Sequence, residues 1–214
     1  MPHAARGEEP DNARIVLGLL ESVERDGAQS QRKLASDLGI ALGLVNAYLK
    51  RCVKKGLVKI GQAPPRRYAY YLTPHGFAEK SRLTVEYLSD SFSFFRRARA
   101  DCSGVLKAAH ARGWTRIALI GVSDLAEIAT ICALEHGITI VAVVDAKSEN
   151  SMFVGAPVVP SIAAVPGGFH ALVVTDLQAT RESVKAVVNQ LDADRVLVPE
   201  LLGIRFDRTT ESAA

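Results

Sequence analysis

Four polar side chains between residues 46 and 54 have types and spacing that suit contact with a nucleic acid: Asn46, Lys50, Arg51 and Lys54. Lysine and arginine neutralise backbone phosphates, and an asparagine amide pairs well with the edge of a base. They lie off the apolar face of one helical pattern, which consists of Val45, Tyr48, Leu49, Cys52 and Val53 at i, i+3, i+4, i+7 and i+8. The pattern predicts a helix with Asn46 in the DNA major groove and its basic side chains on phosphates.

The elements around this helix are predicted to form a helix-turn-helix followed by a hairpin. Ser30 is placed to cap a preceding helix and Gly39 to end it, and Ser30, Gln31 and Arg32 are further candidates for DNA contact. Residues 57–60 and 67–72 favour two strands, with Arg66 and Arg67 at the tip, where they could reach phosphate or the minor groove. A helical hairpin with a solvated basic face and an ordinary exposed β-hairpin are the alternatives.

Residues 12–80 resemble the winged helix-turn-helix of bacterial MarR-like regulators. The resemblance rests on the segment SQRKLASDLGIALGLVNAYLKRCVKKGLV at residues 30–58 and on YLTPHG at residues 71–76, which matches the junction that ends the wing. A helix from residue 11 or 12 to Arg25 would complete the core of three helices. The resemblance implies a transcription factor that binds double-stranded DNA.

A second group of residues suits phosphate binding. Gly121-Val122-Ser123-Asp124 follows an apolar strand and opens a helix, the place where backbone N–H groups can hold a phosphate. Asp145 ends the next strand, where dinucleotide-binding folds place an acid for ribose hydroxyls. The glycine fingerprint is incomplete, since Ser123 and Ala126 occupy the second and third glycine positions.

The elements around this turn alternate between strands and helices from Trp114 onward. Strands are predicted at residues 116–122, 138–145, 157–159, 171–176 and 195–199, and helices at residues 124–137 and 179–191. Apolar strands between helices indicate a parallel sheet covered on both faces. Right-handed crossovers then give the Rossmann-like strand order 3-2-1-4-5.

Residues 115–200 are similar to the N-terminal nucleotide-sugar-binding domain of bacterial sugar acyltransferases and to the leading domain of polysaccharide-biosynthesis dehydratases. The similarity includes the glycine turn, the strand that ends in Asp145 and the Gly155-Ala156-Pro157-Val158 segment. It implies that Gly121 and Ser123 face a diphosphate, Asp145 the nucleoside, and Thr175 or Asp176 the sugar. The candidate effector is a nucleotide sugar or a dinucleotide. A Rossmann domain that has lost its ligand and serves as a docking surface is the alternative.

Between the two domains, one long helix carries an apolar stripe with alternating spacing of three and four, as in a coiled coil. The stripe comprises Ala78, Ser81, Val85, Leu88, Phe92, Phe95, Arg99, Cys102, Leu106 and Ala109. We interpret Val85, Leu88, Phe92 and Phe95 as a homodimer interface. Packing of the stripe against the chain's own second domain is the alternative, and Ser103-Gly104 could kink or split the helix.

Charge is distributed unevenly along the 214 residues. Through residue 113 there are 19 Lys and Arg against 11 Asp and Glu, whereas the remainder has 7 against 12. A basic front half and an acidic back half fit a polyanion-binding module joined to another domain. Cys52, Cys102 and Cys132 are far apart and are interpreted as small buried hydrophobic residues, and a polar N-terminus without a signal peptide favours the cytoplasm.

The predicted fold class is α/β with two domains. Residues 1–10 are expected to be a disordered lead, 11–73 the winged helix, 74–112 the linking and dimerisation helix, 113–206 the Rossmann-like domain and 207–214 a tail. We found no metal-ligand spacing and no catalytic motif, so the chain is predicted not to be an enzyme. The leading hypothesis is a regulator that senses a nucleotide-bearing metabolite, of which the NAD(H) sensing of Rex-type repressors is a variant. The other hypothesis is a small nucleotide-dependent enzyme with an appended winged helix.

Overall fold

The computed structural model describes residues 8–63 and 67–204 of the chain. The chain divides into two compact units, with the boundary between Phe92 and Ser93. Each unit has its own hydrophobic core. In the described part of the chain, no helix is both long and apolar enough to cross a membrane.

Three helices form the first part of the first unit: α1 (Glu8–Arg25), α2 (Gln31–Leu38) and α3 (Leu42–Lys54). The helix α1 begins at Glu8, ahead of the expected start at residue 11 or 12, and residues 1–7 lie outside the described residues. Both predicted ends of α2 are observed, since Ser30 Oγ accepts a hydrogen bond from Lys33 N and Gly39 adopts a φ of 63°. Apolar side chains from all three helices share one core.

The predicted wing is an antiparallel hairpin of β1 (Val58–Ala63) and β2 (Arg67–Leu72). The strand β2 is joined to the end of α1, because Tyr70 N donates to the Gly27 carbonyl at 2.8 Å. A Cβ on Gly27 would lie 2.1 Å from the Tyr70 carbonyl oxygen, so only glycine permits this contact. The tip residues 64–66, including Arg66, lie outside the described residues.

The long helix α4 (Pro74–Ala111) continues without a break through Ser103 and Gly104. Thr73 caps its start, since the Gly76 N–H donates to Thr73 Oγ1 at 3.0 Å. Leu83 belongs to the core of the first unit. In the second unit, the later part of α4 contributes a row of buried residues, Ala98, Cys102, Leu106 and Ala109.

The second unit is built on a sheet of six strands: β3 (Arg116–Ile120), β4 (Thr139–Val144), β5 (Met152–Phe153), β6 (Ala156–Val159), β7 (Ala171–Val174) and β8 (Val196–Leu197). Their order is β5-β6-β4-β3-β7-β8, and all neighbouring pairs except β5 with β6 are parallel. Apart from β5, this is the predicted order 3-2-1-4-5. The α/β fold class with a winged helix, a long helix and a Rossmann-like sheet is confirmed.

Helices cover both faces of this sheet. Side chains of β7 alternate between the faces, so that Val173 packs in a core with α5 (Asp124–Glu135) and the later part of α4. Leu172 points the other way and shares a second core with Val184 of α6 (Arg181–Val188). Continuous apolar sequence in these strands reflects burial on two sides. Short 3₁₀ turns complete the unit at Ile162–Ala164, Ala193–Arg195 and Glu200–Leu202.

The short antiparallel strand β5 was not predicted. It forms a hairpin with β6, in which Phe153 pairs with Ala156 across a loop of Val154 and Gly155. Both loop residues have positive φ, 45° for Val154 and 82° for Gly155. Such a turn normally has Asn-Gly or Asp-Gly, and valine is an unusual residue there, so the sequence contains no recognisable hairpin signal.

Candidate DNA interface and candidate nucleotide site

The exposed face of α3 is the first candidate site. Val45, Tyr48, Leu49 and Cys52 turn into the core of the first unit, as the apolar pattern predicts. On the opposite side, Gly43, Ala47, Lys50 and Lys54 follow one another at i, i+4, i+7 and i+11, and all four are exposed. Arg51 is exposed beside them and Asn46 is half-buried. The helix therefore presents small residues in its first two turns and positive charge in its last two.

The positive charge on α3 is available to a partner. Among the described residues, no ion pair involves Lys50, Arg51 or Lys54, and all three residues are exposed. Burial raises the pKa of the Cys52 thiol, although Lys55 and Arg51 act to lower it. Cys102 and Cys132 are also free and buried, and burial raises the pKa of Cys102 to about 12. The thiols behave as small buried groups.

The other residues predicted to contact DNA have varied surroundings. Ser30 Oγ is occupied as the cap of α2, and Gln31 Nε2 donates to the Tyr70 hydroxyl at 2.8 Å. Arg32 is exposed on α2. Arg67 belongs to β2, but its side chain and the whole of Arg66 lie outside what the structure describes. Ser30 and Gln31 thus support the fold of this region as well as lying near its surface.

Sequence reasoning missed several exposed residues of the same unit. Leu42 and Leu44, which flank Gly43 at the start of α3, are 44% and 41% exposed. Lys59 and Tyr71 pair across the wing and are also exposed. The leucines were overlooked because the helical pattern begins at Val45, and apolar residues at its edge look like core residues.

The second candidate site lies where β3, β4 and β7 end. Gly121, in the turn after β3, has a φ of 92°, and its N–H donates to the Val144 carbonyl at 3.0 Å. A Cβ on Gly121 would lie 2.6 Å from Asp176 Cβ and 2.8 Å from Asp176 N. The turn is packed against the end of β7, so the chain's own packing accounts for this glycine.

Asp145, at the end of β4, accepts hydrogen bonds from three backbone N–H groups. Its Oδ2 accepts from Val122 N at 3.0 Å, and its Oδ1 from Lys147 N at 2.9 Å and Ser148 N at 3.2 Å. Burial raises the pKa of this carboxyl, but the three N–H groups outweigh burial, so its pKa lies below the ordinary value. The carboxylate that the resemblance assigns to a nucleoside therefore ties two loops together.

Ser123 and Thr175 are also engaged within the protein. Ser123 Oγ donates to the Thr175 carbonyl at 2.6 Å. It also accepts from Ala126 N, so that Ser123 caps α5. Thr175 is fully buried, and its Oγ1 lies 2.7 Å from the Ile120 carbonyl and 2.9 Å from the Gly121 carbonyl. All the residues predicted to bind the ligand are brought to one edge of the sheet. Their polar atoms already form hydrogen bonds that join the loops at this edge.

Carboxylates dominate the rim of this edge. Asp176 accepts a hydrogen bond from Gln178 N at 2.8 Å, and Asp124 is exposed in the first turn of α5. The exposed Lys147 is the nearest basic residue in sequence to Asp145. An anionic ligand would meet negative charge here, partly offset by the N-terminus of α5.

The apolar stripe of α4 has two different environments. Val85, Leu88, Phe92 and Phe95 are exposed, Val85 by 64% and Phe92 by 59%. Cys102, Leu106 and Ala109 are buried in the core of the second unit. The second part of the stripe therefore packs into the second unit, whereas the four residues of the predicted homodimer interface present an apolar face to solvent.

Comparison with known proteins supports the assignment of the first unit. A family model described as winged helix-turn-helix DNA-binding matches residues 13–59. No curated protein matches the chain. The N-terminal region is accordingly a winged helix-turn-helix of the DNA-binding type, which supports a regulator.

Two solved structures show similarity to the chain at low identity. Human N-acetylserotonin methyltransferase in complex with SAM is 11% identical over 92% of this chain and 81% of its own, with a TM-score of 0.34. The structure described as PigF with SAH is 15% identical, covers 78% of this chain and has a TM-score of 0.29. This chain spans 62% of the PigF chain. At these TM-scores the likeness assigns no ligand and no reaction.

The prediction that the chain is not an enzyme has to be corrected. The similar solved structures include an enzyme, the human methyltransferase, and that similarity extends over 92% of this chain. The absence of a recognised catalytic motif from a sequence does not exclude activity. The structure also brings together a pair that sequence spacing could not reveal, Ser103 Oγ and His136 Nε2 at 2.7 Å. Among residues 8–63 and 67–204, no cluster of His, Cys, Asp or Glu is arranged to hold a metal ion.

Proposed function

We propose that this chain is a transcription regulator that binds its operator as a homodimer. One observation carries the proposal: α3, within the winged helix-turn-helix, presents small residues followed by exposed positive charge. In helix-turn-helix proteins the second helix lies in the major groove and its N-terminal residues meet base edges. The charged last turns of α3 then reach phosphates, which supply most of the affinity.

Each residue has a defined role in this docking mode. Lys50, Arg51 and Lys54 contact phosphates, together with Arg32 of α2 and with Arg66 and Arg67 of the wing. Asn46 reads a base edge, and adenine is the base whose edge fits an amide in two hydrogen bonds. Ser30 caps α2 and Gln31 is its first residue, so both lie at the helix N-terminus, where phosphate binding is favourable.

Substitution of Lys50 and Lys54 together by alanine tests the docking mode. Removal of two phosphate contacts should lower the slope of log affinity against log salt by about two units and weaken binding by about tenfold or more. Fluorescence anisotropy with a duplex recovered by in vitro selection measures both quantities. The matched control replaces Lys107 and Lys185, which are exposed lysines of the second unit, and should change neither. Unchanged affinity in the Lys50/Lys54 variant would rule out this mode.

The exposed part of the α4 stripe supports the homodimer. Val85, Leu88, Phe92 and Phe95 keep the three-and-four spacing of a coiled-coil seam and are large and exposed. Contiguous apolar side chains of this kind on a protein surface usually mark an interaction site. A two-fold dimer would place two winged helices on a pseudo-palindromic operator.

The second unit serves in this proposal as the sensor of a nucleotide-bearing metabolite. The 3-2-1-4-5 order supports binding at the edge where the strands end, next to the point where the order reverses. The resemblance of residues 115–200 to acyltransferase domains favours a nucleotide sugar, and Gly121, Ser123, Asp145, Thr175 and Asp176 stand at that edge. Since the polar groups of these residues already form hydrogen bonds within the protein, the ligand must either open the turn or bind above it.

Titration of the purified protein with UDP-sugars, NAD and NADH tests this sensor. Binding at 100 times the dissociation constant should stabilise the protein by about 2.7 kcal/mol, which a thermal shift detects. Asp124→Asn should strengthen binding of an anionic ligand, because it removes an exposed negative charge beside the turn. No binding below millimolar concentration would contradict the sensor, and turnover of the ligand would reveal an enzyme.

A further inference from the structure

The first two turns of α3 have an unusual surface for a helix that contacts DNA. From Leu42 to Leu49 the sequence LGLVNAYL contains no charged residue. Gly43 and Ala47 lie at the centre of the exposed face, and Leu42 and Leu44 flank Gly43 with a large part of each side chain in solvent. Asn46 is the one polar side chain that remains for a partner, because the Tyr48 hydroxyl donates to Asn12 Oδ1 within the protein.

The fold itself does not require glycine at position 43. A Cβ built on Gly43 would meet no atom within 4 Å, and Gly43 is not among the glycines with positive φ. Neither packing nor backbone conformation requires glycine, and alanine is the better helix former. A glycine that the fold does not need allows close approach of a partner to the helix backbone.

The side chains on this surface determine which groups of the DNA bases it can recognise. Guanine is most often recognised by the two hydrogen bonds of an arginine or lysine, and cytosine by a carboxylate. Neither group occurs in α3 before Lys50. The thymine methyl group is the feature of the major groove that apolar side chains contact, and an asparagine amide fits adenine. The same helix continues into Lys50 and Lys54, so the apolar surface belongs to one face with the phosphate contacts.

We infer that α3 recognises thymine methyl groups through Leu42 and Leu44, with the small residues Gly43 and Ala47 allowing the helix to lie deep in the major groove. The inference rests on the proposed function and specifies its ligand: each half-site carries A·T pairs under the start of α3. The leucines at the two sides of Gly43 cover methyl groups, and Asn46 bonds the adenine edge.

Replacement of thymine by deoxyuridine tests the inference, because it removes the methyl group and keeps base pairing and charge. The full-length protein is first used to select duplexes from a random library, and single thymines of the selected site are then replaced. At one or more positions in each half-site, affinity by fluorescence anisotropy should fall about fourfold, which corresponds to burial of one methyl group.

Variants assign the effect to α3. Leu42→Ala with Leu44→Ala should bind thymine and deoxyuridine duplexes equally well, whereas Leu134→Ala, a change at an exposed leucine of α5, should keep the fourfold preference. Gly43→Leu should weaken binding to every duplex about tenfold or more, with its circular dichroism unchanged and its melting temperature no lower than that of the wild type, because leucine is the better helix former.

The possible failures are distinguishable. Salt-dependent binding with equal affinity for thymine and deoxyuridine would overturn methyl recognition and leave the proposed function intact. A preference that survives in the Leu42/Leu44 variant would also overturn it. Lack of binding to any duplex would overturn the proposed function and this inference together.

Discussion

Replacement of Leu88 and Phe92 by aspartate should convert the protein from a dimer into a monomer. Both side chains lie in the exposed part of the α4 stripe and outside the buried cores, so the fold of each unit does not depend on them. In the proposed dimer they face a second copy, and four carboxylates would be forced into one apolar seam. Burial of unpaired charge costs far more than such a seam contributes.

The loss of the dimer should also reduce DNA affinity. A dimer engages two half-sites, and the second contact is effectively intramolecular, so loss of one winged helix weakens binding by about 100-fold or more. Sedimentation equilibrium should give a mass of 23.0 kDa for the variant and twice that for the wild type. Anisotropy on one operator duplex then measures the accompanying fall in affinity.

A control variant separates charge from position. Ile131 and Leu134 on α5 are 48% and 76% exposed, and their replacement by aspartate adds the same charge to the second unit. This variant should remain a dimer with unchanged DNA affinity. A wild type that sediments as a monomer at micromolar concentration would refute the interface, and so would a Leu88/Phe92 variant that stays dimeric.

The periodicity of α4 explains why the sequence could predict this stripe but not its partners. Spacing of three and four shows which residues share a helix face, and both Phe92 and Leu106 satisfy it. Spacing carries no information on what lies opposite that face. Leu106 is covered by the sheet and α5, whereas Phe92 is exposed, and only tertiary structure distinguishes the two.

The strand order of the second unit was predictable for a physical reason. Parallel strands must be joined by crossover connections, and these are almost always right-handed. Few strand orders satisfy that rule. The two-residue turn at Val154 and Gly155 escaped prediction because valine rarely adopts positive φ. The backbone preference of valine disfavours the positive φ that Val154 adopts when β5 pairs with β6.

The turn at Gly121 was predicted as a turn, and the structure adds a second reason for its residues, which is packing within the protein. A glycine before a helix fits a phosphate cradle and also fits close contact between strand ends. Sequence cannot separate the two, since the colliding residue, Asp176, is distant in the chain. The same holds for Asp145, whose hydrogen bonds to Val122 N and Ser148 N depend on the folded loops.

Gly121→Ala should accordingly destabilise the second unit, whether or not a ligand binds there. A residue with a side chain is strained at a φ of 92°, and its Cβ would collide with the Asp176 backbone, which cannot move as a flexible side chain could. Left-handed strain costs about 1–2 kcal/mol, and overpacking in a rigid site adds about 1–3 kcal/mol. We expect the free energy of unfolding to fall by about 3 kcal/mol.

The sole tryptophan, Trp114, packs against the core of the second unit and reports its unfolding by fluorescence. Gly137→Ala is the matched control, because Gly137 has a φ of 66° and open space around a Cβ, so that it incurs the strain without the collision. In Gly104→Ala a Cβ also meets nothing, and the change should stabilise α4 by up to about 1 kcal/mol. In urea unfolding, the free energy of unfolding should therefore be highest for Gly104→Ala, intermediate for Gly137→Ala and lowest for Gly121→Ala. If Gly121→Ala were no less stable than Gly137→Ala, close packing against Asp176 could not explain the glycine. Phosphate binding by an open turn would then be the better explanation.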